Sequence, residues 1–353
     1  MYASVKYWVW LADLLPAAAG HRVYEFFQSP TEAFLADNGR YDLIPGLTRQ
    51  QREQLCHASL ERAERIVEEC ARQGIRVTVA SSVVWSLLMA AVMLLCPAEA
   101  ITYEPDFTPT SKAVYLENLD TGLILYEKNA DEKMYPASLT KIMTAIVVLE
   151  NVKDLDGETA EYPMWIQNML YGTNASLGGL IVGEELTIRQ LLTSALVQSG
   201  NESAMILAGY VGSGGMADFM PRDITTFVEM MNDKAKALGC TGTHFTNPTG
   251  LHSDNTYTTA RDMAIMAKYA MQKSAFSSIV KNYAVQLGQT NKHADLWQYS
   301  TNKMLLTSSP YYYAPVVGIK TGSTDEAGRC VISQAEDSGY HYFCVVMGSP
   351  VTA

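Results

Sequence analysis

The residues of this chain best suited to chemistry begin with Ser138 and Lys141, in the sequence Pro136-Ala137-Ser138-Leu139-Thr140-Lys141. Residues three apart in a helix share a face, so the Lys141 amine can reach the Ser138 hydroxyl. A serine becomes a good nucleophile only when a base takes its proton, and a desolvated lysine beside another cation has a pKa low enough to be that base. The unpaired N–H groups of a first helical turn can also stabilise an oxyanion. The pair therefore predicts an acyl-transfer serine.

Two other serines of the chain have the same spacing to a lysine. Ser278 and Ser300 are each followed by a lysine three residues later. A chain of this length holds about one such pair by chance, so the spacing alone does not identify the nucleophile. Ser138 precedes the run 142–149, which is apolar almost all round and therefore has the character of a buried helix. The other two serines open no such run.

Two downstream motifs single out Ser138. Ser199-Gly200-Asn201 lies between two predicted helices, and Lys320-Thr321-Gly322, the only K-T-G in the chain, ends a predicted strand. A serine, then S-x-N, then K-T-G in this order is a known active-site pattern. Ser253-Asp254-Asn255 also fits S-x-N, but it lies in a loop ahead of a predicted helix. Ser199 and Asn201 are therefore the preferred pair.

The remaining elements indicate how such a site is positioned. Predicted strands stand at both ends of residues 111–353, with predicted helices between them, so one sheet must unite early and late strands. This order predicts an α/β sandwich with an inserted helical subdomain. The predicted strands are 113–116, 123–127, 314–320, 329–335 and 340–347, and the predicted helices are 186–196, 204–211, 224–238 and 259–271.

Composition limits the classes of protein to consider. The 353 residues leave room for two domains, and 48% hydrophobic against 18% charged residues exclude a largely disordered chain. The net charge of −11 and the lack of a basic stripe argue against nucleic-acid binding by the larger part. No Cys and His cluster has zinc spacing. Cys330 and Cys344 flank a predicted hairpin turn, but free buried thiols are the expectation.

Residues 1–76 form a separate group of predicted short helices, over 5–15, 20–27 and 30–37, with a longer one over 49–73. With Tyr7-Trp8-Val9-Trp10-Leu11 and the turn Ile44-Pro45-Gly46-Leu47, this stretch resembles the amino-terminal helical part of the DNA-processing protein A family. The turn itself resembles the hairpin of a helix-hairpin-helix element, in which backbone N–H groups approach a nucleic-acid phosphate, but an ordinary turn between packed helices is the favoured interpretation. That family's nucleotide-fold domain does not follow here. We therefore predict a fragment joined in front of an unrelated protein.

An uncharged stretch follows these helices. Residues 77–96 carry no charge, are preceded by Arg72 and Arg76, and lead into Pro97-Ala98-Glu99-Ala100. A basic flank, an apolar core and a small-x-small ending are typical of a secretory signal peptide cleaved after Ala100, and the length also suffices for one membrane helix. We expect residues 77–100 to be a signal peptide or membrane anchor. Residues 101–353 are then expected outside the cytoplasm, secreted or anchored to the outer face of the cytoplasmic membrane.

Residues 105–353 resemble the low-molecular-mass penicillin-binding proteins, the secreted serine D-Ala-D-Ala carboxypeptidases. The resemblance runs through residues 135–141, 199–201 and 318–322, with a framework loop and helix over 247–264. It implies a β-lactamase-like sandwich built on an antiparallel sheet. It also implies removal of the terminal D-alanine from peptidoglycan stem peptides, inhibition by β-lactams, and no cofactor or metal.

The resemblance also implies a role for each motif residue. Ser138 would attack the amide between the two terminal D-alanines, with Lys141 as its general base. Ser199 would relay the proton towards the leaving amine, and Asn201 would hold the acyl side of the substrate. The remaining implied roles concern the K-T-G strand: Lys320 and Thr321 bind the terminal carboxylate, Gly322 belongs to the same substrate-binding edge, and the N–H groups of Ser138 and Ser323 form the oxyanion hole.

Two rival functions stand beside this prediction. A class A serine β-lactamase shares the three motifs but needs a glutamate to activate water, and no loop carries one at the expected place. Gly200 also replaces the Asp of S-D-N. The second rival is a DNA-binding module in residues 1–76, for which we expect no binding.

One departure from the family concerns the end of the chain. Family members continue past the last strand into a helix that packs on the sheet, whereas this sequence ends at Ala353. We therefore expect a truncated domain whose sheet keeps a partly exposed apolar face.

Overall fold

The computed structural model describes residues 2–15, 17–27, 29–72, 108–337 and 339–350. The chain forms two units, Met1–Ala98 and Glu99–Ala353. The predicted signal peptide or anchor, residues 77–100, lies outside the described residues and stays a prediction. Within the described ranges, no helix is both long enough and apolar enough to cross a membrane.

The first unit is a group of short helices around a core of its own, which includes Trp10, Val23 and Ile44. The single helix predicted over 49–73 is wrong, because the backbone is extended at Ala58 (φ −73°, ψ 140°) and Leu60 packs against the core. The turn at 44–47 has a structural role, since Ile44 and Leu47 are buried in this core. The helices are α1 Tyr2–Leu14, α2 Ala17–Phe27, α3 Pro30–Phe34, α4 Arg49–His57 and α5 Glu61–Arg72, with a 3₁₀ turn Asn38–Leu43.

The second unit contains a five-stranded antiparallel sheet. In spatial order its strands are β2 Leu123–Lys128, β1 Ala113–Asn118, β9 Tyr340–Ser349, β8 Gly328–Asp337 and β7 Lys320–Thr324. Early and late strands meet directly, since β1 pairs with β9. The predicted α/β fold with an antiparallel sheet is therefore confirmed. Four short strands form two separate pairs, β3 Thr159–Glu161 with β4 Glu185–Thr187, and β5 Ala284–Gln286 with β6 Trp297–Tyr299.

The helices of this unit pack around one that is buried along most of its length. This helix, α6 (Lys141–Asn151), has every side chain from Lys141 to Val148 buried, as its apolar sequence predicts. The other helices are α7 Met164–Leu170, α8 Ile188–Thr193, α9 Asn201–Gly212, α10 Pro221–Ala237, α11 Ala260–Met271 and α12 Ser274–Val280.

The two faces of the sheet differ in how far their side chains are exposed to solvent. In β9, Phe343, Val345 and Met347 are fully buried in the core, whereas the alternating Tyr342 and Cys344 are only half-buried. Leu123 at the edge strand is 61% exposed. The outer face is therefore partly open to solvent.

The structure near the K-T-G strand tests two local predictions. The strand predicted over 314–320 is right only in part. Val316 forms a bridge with Ala335, and the Val317 and Ile319 N–H groups donate to β8, but Gly318 has a φ of 114° that interrupts the extended backbone, and β7 begins at Lys320. The K-T-G motif therefore opens a strand. Cys330 lies opposite Gly322 and Cys344 lies opposite Ser333, so the two thiols are not cross-strand partners, and both are free.

Candidate active site

Ser138 lies in the 3₁₀ turn Ala137–Thr140, immediately ahead of α6. Two neighbouring segments pack directly against the backbone of this turn, and each does so at a glycine. A Cβ added at Gly250 would lie 1.8 Å from the Ala137 carbonyl oxygen, and one at Gly322 would lie 2.9 Å from the Ser138 nitrogen. Neither position has room for a side chain. The turn is therefore held between the loop 247–251 and strand β7.

Lys141 is the first residue of α6, and its side chain is buried beside Ser138. Its Nζ lies 3.0 Å from Ser138 Oγ, 3.0 Å from Asn201 Oδ1 and 2.7 Å from the Thr249 carbonyl oxygen. The amide and carbonyl oxygens can only accept, so they take two N–H groups. In the neutral amine the lone pair then faces the Ser138 hydroxyl. This is the geometry that a general base needs.

The environment favours the neutral form of Lys141. Burial lowers the pKa of Lys141 well below its usual value, the positive charge of Lys320 lowers it further, and Glu202 opposes both. Lys320 is also buried, and its burial lowers its own pKa to about 7. The second cation expected from the sequence is therefore Lys320, which acts on Lys141 through its charge.

The S-G-N motif lies where two helices meet. A π-helical turn, Ser194–Gln198, ends at Ser199, whose backbone is left-handed (φ 65°, ψ 29°). This bend starts α9 at Asn201. The Asn201 amide donates to the Ser176 carbonyl oxygen at 2.7 Å, which leaves its Oδ1 to accept from Lys141. Asn201 is thus oriented from both sides, while Ser199 lines the cavity beside Ser138.

The K-T-G strand forms the opposite wall of this cavity. The Lys320 amine donates to the Thr321 carbonyl oxygen at 3.0 Å, and the Thr321 hydroxyl is hydrogen-bonded to the Thr301 hydroxyl. The cavity has a volume of about 650 Å³. Of the eight predicted site residues, five line it and the other three, Lys141, Asn201 and Lys320, are buried. The five that line it are Ser138, Ser199, Thr321, Gly322 and Ser323.

The competing serines have other partners. Ser278 is exposed on α12 and donates to the Ala275 carbonyl oxygen. Ser300 Oγ accepts the Asn302 N–H, and Ser253 Oγ accepts the Asn255 N–H. None of these three described serines lines the cavity.

Sequence reasoning missed residues that hold the two motifs together. The Thr301 N–H donates to the Val197 carbonyl oxygen at 3.3 Å, while its hydroxyl meets Thr321. Asn302 is buried and donates to the Gly318 carbonyl oxygen at 3.0 Å. The Thr249 contact was missed as well, because a backbone carbonyl has no sequence signature. Thr301 and Asn302 belong to Ser300-Thr301-Asn302-Lys303, which the sequence analysis considered only as a competing S-x-x-K motif.

Fold and site together define a class, that of serine hydrolases in which a cavity-lining serine is paired with a buried lysine. The family model described as D-alanyl-D-alanine carboxypeptidase, peptidase family S11, matches residues 99–351. The chain belongs to this family, which confirms the resemblance found in the sequence.

Individual relatives agree with this assignment. The chain is 34% identical over 272 residues to a D-alanyl-D-alanine carboxypeptidase of Streptomyces sp. (strain K15), covering 75% of this chain and 88% of the relative. It is 33% identical over 274 residues to DacF of Bacillus subtilis (strain 168), covering 75% of this chain but 65% of that protein. The crystal structure of the Streptomyces K15 DD-transpeptidase is similar with a TM-score of 0.64 and 32% identity, covering 70% of this chain and 93% of that one.

These comparisons also bear on the rival interpretations. The family match begins at residue 99, so it leaves out residues 1–76. The resemblance of that stretch to DNA-processing protein A is not borne out. A β-lactamase is not favoured either, because the family and the relatives named above are D-Ala-D-Ala peptidases.

Glu202 is a further buried group that the sequence did not reveal. It lies in the first turn of α9, where a negative charge is favourable, and its Oε1 accepts the N–H groups of Gly178 at 2.6 Å and Leu180 at 3.4 Å. Ser176, two residues before Gly178, holds the Asn201 amide. Glu202 thus secures the loop that orients Asn201. Its charge also raises the pKa of Lys141.

We expect Glu202→Gln to move the pH profile of acylation. The variant keeps the size of the side chain but loses its negative charge, so the pKa of Lys141 falls further and the neutral base persists at lower pH. The acid limb of the rate of acylation by a β-lactam then shifts to lower pH. Glu184→Gln is the matched control, because Glu184 is equally buried and accepts the Ile181 N–H but otherwise bonds Thr290 and His293. If the acid limb of the acylation rate does not move in Glu202→Gln, or if it shifts equally in both variants, the Glu202 charge does not act on Lys141 in this way.

Proposed function

We propose that residues 101–353 act as a serine-type D-Ala-D-Ala carboxypeptidase on peptidoglycan stem peptides. The observation that supports this most is the hydrogen bonding of Lys141, which joins Ser138, Asn201 and Thr249 around one buried amine. Such an arrangement prepares Ser138 to attack an amide carbonyl. Membership of the carboxypeptidase family supports this substrate class.

The proposed reaction has two steps. Lys141 takes the proton of Ser138 as its Oγ bonds to the penultimate D-alanine carbonyl carbon, and the oxyanion is held by the N–H groups of Ser138 and Ser323. The C–N bond then breaks, and the proton reaches the leaving D-alanine amine through Ser199. Asn201 holds the acyl side during this step. In the second step water adds to the ester and releases the shortened peptide.

We propose that Lys320 and Thr321 bind the terminal carboxylate of the substrate, with Gly322 giving the strand its close approach to Ser138. A cation and a hydroxyl at a strand edge suit a carboxylate. Because burial lowers the pKa of Lys320 to about 7, its cation is present below that pH and is lost as the pH rises above it. Carboxylate binding should therefore weaken at alkaline pH.

Lys320→Ala is expected to lower kcat/KM for a peptide with a free terminal carboxylate by about 10- to 100-fold, the loss of a charge-assisted hydrogen bond. An otherwise identical peptide with an amidated terminus should change much less. Lys303→Ala serves as the control, because Lys303 lines the same cavity but is exposed. Equal losses for the two peptides would show that Lys320 does not recognise the carboxylate.

The direct test of the function is release of D-alanine from a pentapeptide ending in D-Ala-D-Ala. Because the similar Streptomyces K15 structure is that of a DD-transpeptidase, the assay is run with and without an amine acceptor. Free D-alanine with hydrolysed peptide supports the carboxypeptidase. Product joined to the acceptor indicates transpeptidation, and many-turnover hydrolysis of nitrocefin indicates a β-lactamase.

We also propose an extracytoplasmic location, with membrane association through residues 77–96 where these are retained. The support is the sequence of residues 77–100, which has a basic flank, an apolar core and a small-x-small ending. Mass measurement of the exported protein tests this, since a chain that starts after Ala100 indicates a cleaved signal peptide. A protein that stays in the cytoplasm with residues 77–100 intact would refute the location.

A further inference from the structure

The hairpin-like pair of β5 and β6 carries exposed aromatic rings. Trp297 and Tyr299 are 47% and 50% exposed, and their ring centroids lie 6.5 Å apart with an interplanar angle of 23°. Gln298 between them is fully buried, so the two rings share the outer face. The Tyr283 ring lies 6.2 Å from that of Tyr299. We call this surface the aromatic platform; its residues are Tyr283, Ala284, Gln286, Trp297 and Tyr299, with Ala284 opposite Tyr299 and Gln286 opposite Trp297.

The aromatic platform is continuous with the candidate active site. The Tyr299 N–H donates to the Gln198 side-chain oxygen at 2.9 Å, directly before Ser199. Two residues further on, Thr301 lines the cavity and bonds Thr321. A long ligand with one part in the cavity therefore has the platform beside it.

The size and chemistry of the platform restrict its occupant. Aromatic side chains bury about 150–250 Å² each, so these half-exposed rings offer only a few hundred Å², whereas a stable protein partner needs about 800 Å². None of the five platform residues is charged. A sugar ring fits such a surface, because its C–H face is apolar and its rim carries hydroxyls. The Gln286 amide, the Trp297 N–H and the tyrosine hydroxyls can meet these hydroxyls.

We propose that the aromatic platform binds the glycan strand of peptidoglycan while a stem peptide of the same strand occupies the cavity. This proposal rests on the proposed function, which supplies a peptide covalently attached to a glycan. Linking the two contacts makes the second one intramolecular, so a glycan-borne peptide binds more tightly than a free one.

The test compares kcat/KM for D-alanine release from a stem pentapeptide carried on a tetrasaccharide with that from the free pentapeptide. The wild-type enzyme should prefer the glycan-borne peptide. Trp297→Ala should lower kcat/KM for this substrate by about two- to tenfold, the effect of one stacked ring, and leave the free peptide unchanged. Trp297→Phe should retain most of the preference. Tyr171→Ala is the control, since Tyr171 is an 88% exposed aromatic outside the platform.

Equal losses for both substrates, or no glycan preference in the wild-type enzyme, would overturn the proposal. A preference that Trp297→Ala leaves intact would also overturn it. Titration of Ser138→Ala with peptide-free glycan oligosaccharides, followed by isothermal titration calorimetry, separates the platform from the proposed function. Binding that Trp297→Ala removes supports the platform even where no D-alanine is released, and absence of binding refutes it.

Discussion

Ser138→Ala is expected to abolish covalent labelling by a β-lactam. A β-lactam mimics the D-Ala-D-Ala amide and leaves a long-lived ester on the attacking serine, so peptide mass mapping locates the adduct. In the wild-type protein we expect one penicilloyl group, on the peptide that contains Ser138. The variant removes the nucleophile while leaving the buried Lys141 in place, so turnover of D-Ala-D-Ala peptides should fall by more than about 10³-fold.

The chain supplies its own matched controls for this experiment. Ser278 and Ser300 have the same spacing to a lysine, yet their hydroxyls are engaged with the Ala275 carbonyl oxygen and the Asn302 N–H. Ser278→Ala and Ser300→Ala should label like the wild-type protein. Labelling at either of these serines would refute the assignment. An unlabelled wild-type protein that circular dichroism shows to be folded would refute the acyl-serine proposal for this chain.

The sequence predicted those parts of the site that depend on named side chains at fixed local spacing. Ser138 and Lys141 are one helical turn apart, so local geometry alone brings their side chains together. The S-G-N and K-T-G motifs were found because their residue types are unusual in combination. That one sheet unites early and late strands followed from strand patterns at both ends of the unit. Each of these predictions rests either on a motif of a few adjacent residues or on the order of strands and helices along the chain.

Other parts of the site depend on contacts between distant segments. The Thr249 carbonyl oxygen is within 2.7 Å of Lys141 Nζ, but any residue type offers such an oxygen. Glu202 acts through the N–H groups of Gly178 and Leu180, and backbone N–H groups likewise have no sequence signature. The start of β7 at Lys320 was missed because the β-branched Val316, Val317 and Ile319 favour a strand, whereas the positive φ of Gly318 interrupts it.

Lys141→Ala should slow acylation by about 10²- to 10⁴-fold, the usual contribution of a general base. The reason is the position of its buried amine, which is the group found 3.0 Å from Ser138 Oγ. The rate of acylation by a fluorescent penicillin measures the effect. Lys281→Ala, the matched lysine after Ser278, is exposed and should leave the rate unchanged.

Loss of a buried side chain can also disturb the fold, so a second variant separates the base from the scaffold. Lys141→Arg keeps a long cationic side chain able to donate to Asn201 and Thr249, but a guanidinium stays protonated and cannot take the Ser138 proton. We expect this variant to remain folded, as judged by its thermal unfolding, and to be acylated as slowly as Lys141→Ala. Acylation of Lys141→Arg at the wild-type rate would mean that Lys141 only positions Ser138, and that another group removes its proton.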